Sequence, residues 1–168
     1  MPSFFHVRSA EAAENSGKGT GPWGYTVDPA KRVLSDRWSP TAGTAYDLSV
    51  YGPNGFFRRV AGGLTRTSAN LEVRVVPELA GVALVLVIEN LATWATTVSI
   101  SNQYTKRLEH FHLASRGRVD VPVLIETSFR WYDLVITDST DASFVRHYAG
   151  HIENGFDSVS DPHIGKSA

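Results

Sequence analysis

Short apolar and aromatic runs recur along the chain, and each is bounded by Gly, Pro, Asn, Asp or Ser. Runs of this kind, rich in β-branched and aromatic residues, are typical of β-strands separated by turns. Leu71–Val75 alternates apolar and charged positions, as in a strand with one buried face, whereas Gly81–Ile88 is apolar throughout, as in a strand buried on both faces. The pattern predicts strands at Phe4–Arg8, Trp23–Val27, Arg32–Arg37, Tyr46–Tyr51, Phe56–Ala61, Leu71–Val76, Val82–Glu89, Thr96–Asn102, Arg107–Leu113, Arg118–Ile125, Trp131–Thr137 and Phe144–Ile152.

The spacing of these runs predicts the fold class. No segment keeps the apolar period of a helix over three turns. Many short strands joined by turn residues are the pattern of a β-sandwich, so we predict an all-β, antiparallel, immunoglobulin-like β-sandwich. The Gly- and Ser-rich segment Asn15–Gly21 is expected to form a mobile loop, and the polar tail after Gly155 to form an extended strap or to fray.

Composition excludes several function classes. The chain has 168 residues, of which 42% are hydrophobic, so general disorder is excluded. The absence of cysteine excludes disulfides, thiolate catalysis and cysteine-ligated zinc. A net charge of −1, from 16 basic and 17 acidic residues, predicts no nucleic-acid partner held by bulk charge.

The first residues carry no targeting signal. A strand-like run begins at Phe4, and no basic segment followed by an apolar one precedes it, so no signal peptide is predicted. Such an abrupt start suggests a piece cut from a longer protein.

An internal repeat divides the chain. Tyr46–Val50 matches Tyr132–Ile136, and Phe56–Gly62 matches Phe144–Gly150. Upstream, the Arg-Val pair of Ala30–Val33 matches that of Gly117–Val119.

The two copies differ in what precedes them. The second copy follows a full set of strands from Leu71 onward, whereas the first copy lacks opening strands. We therefore predict a partial first module at residues 1–66 (the first copy) and a complete second module with a tail at residues 67–168 (the second copy). Because a truncated sandwich exposes an unpaired edge, the first copy must pair with the second or be covered by self-association.

The repeated hairpin predicts two charge pairs. Pro53 and Asn54 suit the central positions of a turn, so Tyr51 is expected opposite Phe56. Period-2 alternation then places Asp47 with Arg58, and Asp133 with Arg146. Either pair fixes its hairpin or forms an anion or headgroup site. The opposite face is the expected core face, with Tyr46, Leu48, Val50, Phe57 and Ala61 matched by Tyr132, Leu134, Ile136, Val145 and Ala149.

The hairpin residues also carry a resemblance. Tyr46–Phe56, which reads Tyr-Asp-Leu-Ser-Val-Tyr-Gly-Pro-Asn-Gly-Phe, and Lys31–Trp38 before it resemble the C-terminal repeat domain of bacterial phosphocholine-specific phospholipases C. The second copy resembles the following repeat through Trp131–Leu134 and Arg146–Gly150. The ending is similar too, through Glu153–Gly155 and Ser160–Pro162. The sequence departs from the family pattern at two places. Ala30 stands where the family prefers Gly, and in the second copy Asp138–Ala142 replaces the Gly-Pro-Asn-Gly turn.

The resemblance implies an accessory part of a hydrolase. In that family a catalytic phosphoesterase domain comes before two such repeats, so the chain is expected to lack catalytic residues and cofactors of its own. Its implied partners are the catalytic domain of the parent phospholipase C and a phospholipid membrane surface. The family also implies a secreted or periplasmic location.

Candidate chemistry within the chain is sparse. His110 and His112 share one face of a predicted strand, but a metal site needs a third ligand from elsewhere, so no metal site is predicted. His147 and His151 are interpreted as surface or rim histidines. The most basic stretch suggests a headgroup or docking patch, or alternatively a solvated strand edge. Its members are Lys106, Arg107, His110, His112, Arg116 and Arg118.

A second class of function stays open, that of an independent β-sandwich binding module for carbohydrate or protein. Exposed, coplanar tryptophans would favour a sugar, and the candidates are Trp23, Trp38, Trp94 and Trp131.

The core is expected in the second copy, where Tyr132, Leu134 and Ile136 pack with apolar residues of the strands before them. These are Val73, Val75, Leu84, Leu86 and Ile88.

Overall fold

The computed structural model describes residues 2–15, 17–30, 33–78 and 82–164. Strands are the only regular elements in these ranges, so the predicted all-β class is confirmed. In chain order they are β1 (Ser3–Ser9), β2 (Ala13–Asn15), β3 (Gly19–Thr20), β4 (Trp23–Val27), β5 (Trp38–Pro40), β6 (Ala45–Tyr51), β7 (Phe57–Gly63), β8 (Leu71–Pro77), β9 (Ala83–Asn90), β10 (Thr96–Asn102), β11 (Arg107–Leu113), β12 (Arg118–Leu124), β13 (Trp131–Asp138) and β14 (Val145–His151). The described residues contain no helix that is long and apolar enough to span a membrane.

One long sheet runs through both copies of the repeat. Its eight antiparallel strands lie in the order β11-β10-β13-β14-β7-β6-β1-β4, and two three-stranded sheets, β12-β9-β8 and β3-β2-β5, accompany it. Since apolar residues of each small sheet join the core clusters of the long one, the layers form the predicted antiparallel sandwich.

The strand order is the same from either end of the long sheet. The first copy contributes β4-β1-β6-β7, and the second contributes β11-β10-β13-β14. The two halves meet where β7 pairs with β14, with Arg59 opposite His147, which are matched positions of the repeat. The first copy thus pairs with the second, one of the two expected ways to cover its edge.

The main core lies in the second copy, as predicted. Tyr132, Leu134 and Ile136 are buried in one cluster with Val73 and the β9 side chains, and Val75 packs against that cluster. A smaller cluster in the first copy contains Val7, Trp23 and Tyr25.

Two local predictions are wrong. The predicted strand Arg32–Arg37 does not form in its described part, residues 33–37, while Arg32 lies outside the described residues. The predicted loop Asn15–Gly21 instead contains a short hairpin, because β2 pairs with β3 and with β5.

The tail after Gly155 forms a strap. Trp131 Nε1 donates a hydrogen bond of 2.8 Å to the carbonyl of Val159, and the Tyr104 hydroxyl donates one of 2.9 Å to Asp161. The tail is therefore held against the start of β13 and the turn between β10 and β11.

Candidate functional site

The hairpin register differs by one residue from the prediction. Tyr51 lies opposite Phe57, not Phe56, because the turn contains five residues. Asn54 and Gly55 both adopt left-handed backbone, with φ of 53° and 68°, and Gly52 N–H donates to the carbonyl of Phe56. A slip of one residue exchanges the two faces of a strand, so the predicted pairs are wrong in both copies.

On one face, each aspartate pairs with the residue after the predicted arginine. Asp47 makes a bidentate ion pair with Arg59, with N···O distances of 2.9 and 2.7 Å, instead of pairing with Arg58. In the second copy, Asp133 lies 2.7 Å from His147 Nε2 instead of pairing with Arg146. The matched positions of the repeat thus keep the same geometry.

On the other face, each arginine reaches across to the other copy. Arg58 donates 2.6 Å to the hydroxyl of Tyr132 and 2.8 Å to the carbonyl of Ala149. Arg146 donates 2.8 Å to the hydroxyl of Tyr46 and 2.7 Å to the carbonyl of Ala61. We call these contacts the reciprocal Arg–Tyr pairs. Since both guanidinium groups are occupied by internal acceptors, they are structural and not an open anion site.

The core-face prediction is corrected accordingly. Val60 and Tyr148 pack on the main core, whereas Phe57, Ala61, Val145 and Ala149 alternate with the inward positions. Tyr46, Leu48 and Val50, with Tyr132, Leu134 and Ile136, do lie on the inner face.

The structure divides the predicted basic patch between two sheets. β11, at one edge of the long sheet, presents His110 and His112 outward beside Leu108, which is 58% exposed. Lys106 and Arg116 flank this strand in left-handed turns, and no salt bridge joins either to an acid among the described residues.

The other two members of the patch are neutralised. Arg107 lies 3.0 Å from Glu109. Arg118, in β12, lies 2.7 Å from Asp120 and 3.2 Å from Glu89, and it holds the pKa of the Asp120 carboxyl below its ordinary value. The set of basic residues without acidic partners in the described part of the chain is therefore smaller than the patch predicted from the sequence.

The histidines of β11 face one side of the strand as predicted. His110 Nδ1 lies 2.8 Å from Ser99 Oγ, and Glu109 lies on the other face. Within the described residues, no group of three or more potential ligands lies close enough together to hold a metal ion.

An apolar groove in the first copy was not predicted. It has a volume of about 550 Å³ and lies between the inner face of β1, β4 and β6 and the irregular segment 33–37. We call it the first-copy groove, and its main lining residues are Phe5, Tyr25, Val33, Leu34, Trp38 and Phe56. The only sequence feature that pointed to this groove was the segment Arg32–Arg37, which was predicted as a strand and most of whose described part lines the groove.

A charged contact involves two residues that line this groove, Tyr25 and Asp36. The Lys18 ammonium lies 2.8 Å from Asp36 and 4.0 Å from the centre of the Tyr25 ring. The hydrogen bond from Lys18, followed by those from Asn15 and Tyr25, holds the pKa of the Asp36 carboxyl well below its ordinary range. Asp36 is therefore ionised at neutral pH.

The tryptophans do not form an exposed, coplanar platform. Trp23 is buried and meets Trp38 edge-on, with ring centres 6.0 Å apart and planes at 60°. Trp131 packs on His151, and Trp94 is exposed away from these three. The feature that would favour a sugar ligand is thus missing from the described residues.

Comparison with known proteins extends the sequence resemblance. Residues 2–63 match the family described as "Bacterial phospholipase C, C-terminal domain". A non-hemolytic phospholipase C of Burkholderia pseudomallei is 38% identical over 149 residues, which cover 86% of this chain and 21% of that protein. A hemolytic phospholipase C of Pseudomonas aeruginosa is 33% identical over 169 residues, covering 96% of this chain and 22% of that protein.

A non-hemolytic phospholipase C of Pseudomonas aeruginosa is 30% identical over 148 residues, covering 84% of this chain and 21% of that protein. The chain thus spans about a fifth of the length of each relative. These matches confirm the resemblance seen in the repeated hairpin: residues 2–63 are similar to the C-terminal domain of bacterial phospholipases C, and most of the chain is similar to about a fifth of each of these relatives.

Proposed function

We propose that this chain is a non-catalytic accessory module of a bacterial phospholipase C that hydrolyses phosphocholine-containing lipids. The observation that carries the proposal is the pattern of coverage: the similarity takes in 86% of this chain but only 21% of the first relative. The proposed module supports the catalytic domain or docks it to a membrane or partner, in a secreted or periplasmic enzyme.

The edge strand β11 is the surface we propose for docking. It is an unpaired sheet edge, it exposes Leu108, and it is flanked by Lys106 and Arg116 without acidic partners among the described residues. An apolar side chain beside basic groups suits the interfacial region of a phospholipid membrane. His110 and His112 complete the outward face.

Vesicle co-sedimentation tests the docking role. The chain is mixed with phosphatidylcholine vesicles, with and without a fraction of anionic lipid, at low and high salt. We expect binding that strengthens with anionic lipid and weakens with salt. Lys106→Glu should weaken binding to anionic vesicles at least about fivefold, since one basic residue near such a surface contributes about 1 kcal/mol.

The matched control is Arg37→Glu, which makes the same charge change at an exposed loop position of the first copy. Equal loss of binding in both variants would show that net charge alone explains the effect. That result would contradict β11 as the docking surface. No binding under any condition would leave the catalytic domain as the proposed partner.

The non-catalytic part of the proposal has a separate test. The pure chain is incubated with a chromogenic phosphocholine ester, and no release above the buffer rate is expected. Turnover that scales with chain concentration and survives further purification would contradict the proposal.

A further inference from the structure

The second copy shows what covers the inner face of this fold. Its strand β12 pairs in antiparallel register with β9, so that Val121 lies opposite Leu86. The side chains of Leu84, Leu86 and Ile88 in β9 are completely buried against the long sheet. In this copy, β9 therefore both satisfies the main chain of β12 and fills the core.

The matching segment of the first copy has no such partner among the residues that the structure describes. Val33–Arg37 lies at the same distance before Tyr46 as Val119–Val123 lies before Tyr132. Its apolar side chains are open to solvent, with Val33 76% and Leu34 47% exposed.

The main chain of this segment is also unpaired. In the described part of the chain, no main-chain hydrogen bond reaches residues 33–36. The short strand β2 pairs with β5 only beyond this point, from Trp38 onward. Among the described residues, this segment with the sequence of a strand is therefore irregular and has no neighbouring strand.

The first-copy groove occupies the corresponding place. It separates Val33 and Leu34 from Val7, Tyr25 and Val50 on the inner face of the long sheet. Val50 matches Ile136, which packs in one cluster with the buried β9 side chains. The groove therefore lies where β9 would lie if the first copy followed the second.

Chain connectivity indicates where that counterpart comes from. In the second copy, β9 ends at Asn90 and reaches β10 through the short segment Leu91–Ala95. In the long sheet, β1 holds the place that β10 holds in the other half. A counterpart of β9 joined in the same way would end a few residues before Ser3.

We propose that the first-copy groove takes an apolar β-strand supplied by polypeptide directly N-terminal to residue 1 in a longer protein. This strand pairs antiparallel with Val33–Arg37 and fills the groove with alternate apolar side chains. The internal repeat makes it the favoured occupant, since the second copy holds such a strand in the same place. The inference goes beyond the accessory role and does not depend on lipid docking.

A duplicated strand pair tests the proposal on the full chain. A second copy of Leu71–Ala95, which carries β8, β9 and the connection, is joined directly before Ser3. Amide exchange at Val33–Asp36 should slow at least about tenfold relative to the unmodified chain. The matched control carries Leu84→Asp, Leu86→Asp and Ile88→Asp in the added copy only, and it should give no protection.

Equal exchange at Val33–Asp36 in the apolar and control fusions would overturn the proposal. Slower exchange in the unmodified chain as its concentration rises, together with a dimer by light scattering, would also overturn it. That result would assign the groove to a second copy of the chain.

A disulfide trap provides a second test, which is needed if the amides of Val33–Asp36 are poorly resolved in the fusion. The chain has no cysteine, so an introduced pair reports one contact. In the second copy Val87 lies opposite Asp120, which matches Leu34. Leu34→Cys with Val87→Cys in the added copy should form an intramolecular disulfide under mild oxidation.

The control for the trap moves the second cysteine one strand outward. Arg74 lies opposite Val87 on β8, the strand on the other side of β9. Arg74→Cys in the added copy would therefore lie two strand spacings, about 10 Å, from position 34, which is too far for a disulfide. Cross-linking by the Val87 variant alone supports the proposal. Failure of the Val87 variant, or equal cross-linking by both, contradicts it.

Discussion

Arg58 and Arg146 lie on the inner side of the long sheet, where an unpaired charge would be costly. Each is stabilised by a tyrosine hydroxyl and a carbonyl from the opposite copy, and by aromatic rings. Burial raises the pKa of the neighbouring Tyr148 hydroxyl, which keeps that group neutral beside the two cations. The reciprocal Arg–Tyr pairs thus connect the two halves of the sheet through matched residues of the repeat.

Removing one tyrosine hydroxyl should weaken this connection. Tyr132→Phe and Tyr46→Phe each delete the acceptor of a charged donor, which predicts a loss of about 1.5–3 kcal/mol in the free energy of unfolding. The matched control is Tyr51→Phe, whose ring is 45% exposed, and it should change stability by less than about 0.5 kcal/mol. Urea unfolding measures all three, and a Tyr132→Phe value no larger than the control would contradict the structural role.

Acidification should release the contact between Lys18 and Asp36. The folded-state pKa of Asp36 is depressed, first by Lys18, so its stabilisation is present above the ordinary aspartate pKa of about 3.9 and is lost as pH falls below it. Fluorescence of Trp38, which lines the same groove, should stay constant from pH 7 through the ordinary aspartate pKa and change only at lower pH, where the depressed folded-state pKa is reached. Asp36→Asn should remove this transition, and an unchanged acid transition in the variant would contradict the assignment.

At the scale of elements, strand positions were predictable and strand pairing was less so. Eleven of the fourteen strands in the described residues match a predicted strand to within two residues at each end, because local apolar patterns are visible without knowledge of partners. The hairpin register was missed because it depends on two successive left-handed residues, Asn54 and Gly55, where the sequence suggested one. The segment 33–37 was missed because a strand needs a neighbour, which no local pattern shows.

The candidate sites were predictable to a different extent. The basic residues of the patch were visible because they lie close together in sequence. Their neutralisation was not, since Glu89 reaches Arg118 from a neighbouring strand. The first-copy groove has no contiguous sequence signal, because it is formed by residues from β1, β4, β6 and the segment before β5.

The β9 and β13 strands should carry much of the stability of the second copy. Leu86 and Leu134 are 0% exposed, so Leu86→Ala or Leu134→Ala leaves a cavity and should cost about 2–5 kcal/mol. Leu108→Ala makes the same change at an exposed position of β11 and should cost less than about 0.5 kcal/mol. Thermal unfolding distinguishes the variants, and similar melting temperatures for Leu86→Ala and Leu108→Ala would contradict the core assignment.

At the scale of the whole molecule, one long sheet joins two halves, and the small sheet packed on each half has strands of different length. The second copy is covered by β8, β9 and β12, of seven, eight and seven residues. The first copy is covered by β2, β3 and β5, of three, two and three residues. Since buried apolar area is the main stabilising term, the two halves are expected to open at different free energies.

Hydrogen exchange should resolve this difference and test the predicted module boundary near residue 66. Tyr46, Leu48 and Val50 are only half-buried, whereas their counterparts Tyr132, Leu134 and Ile136 are buried in the main core. Amides of Val82–Ile88 and Trp131–Thr137 should therefore exchange more slowly than those of Tyr46–Ala61. Pairing of β7 with β14 protects the end of the latter segment, so the contrast should be largest at Tyr46–Val50. Slower exchange throughout Tyr46–Ala61 than in the second copy would mean that the first copy is an equal partner and that the boundary is wrong.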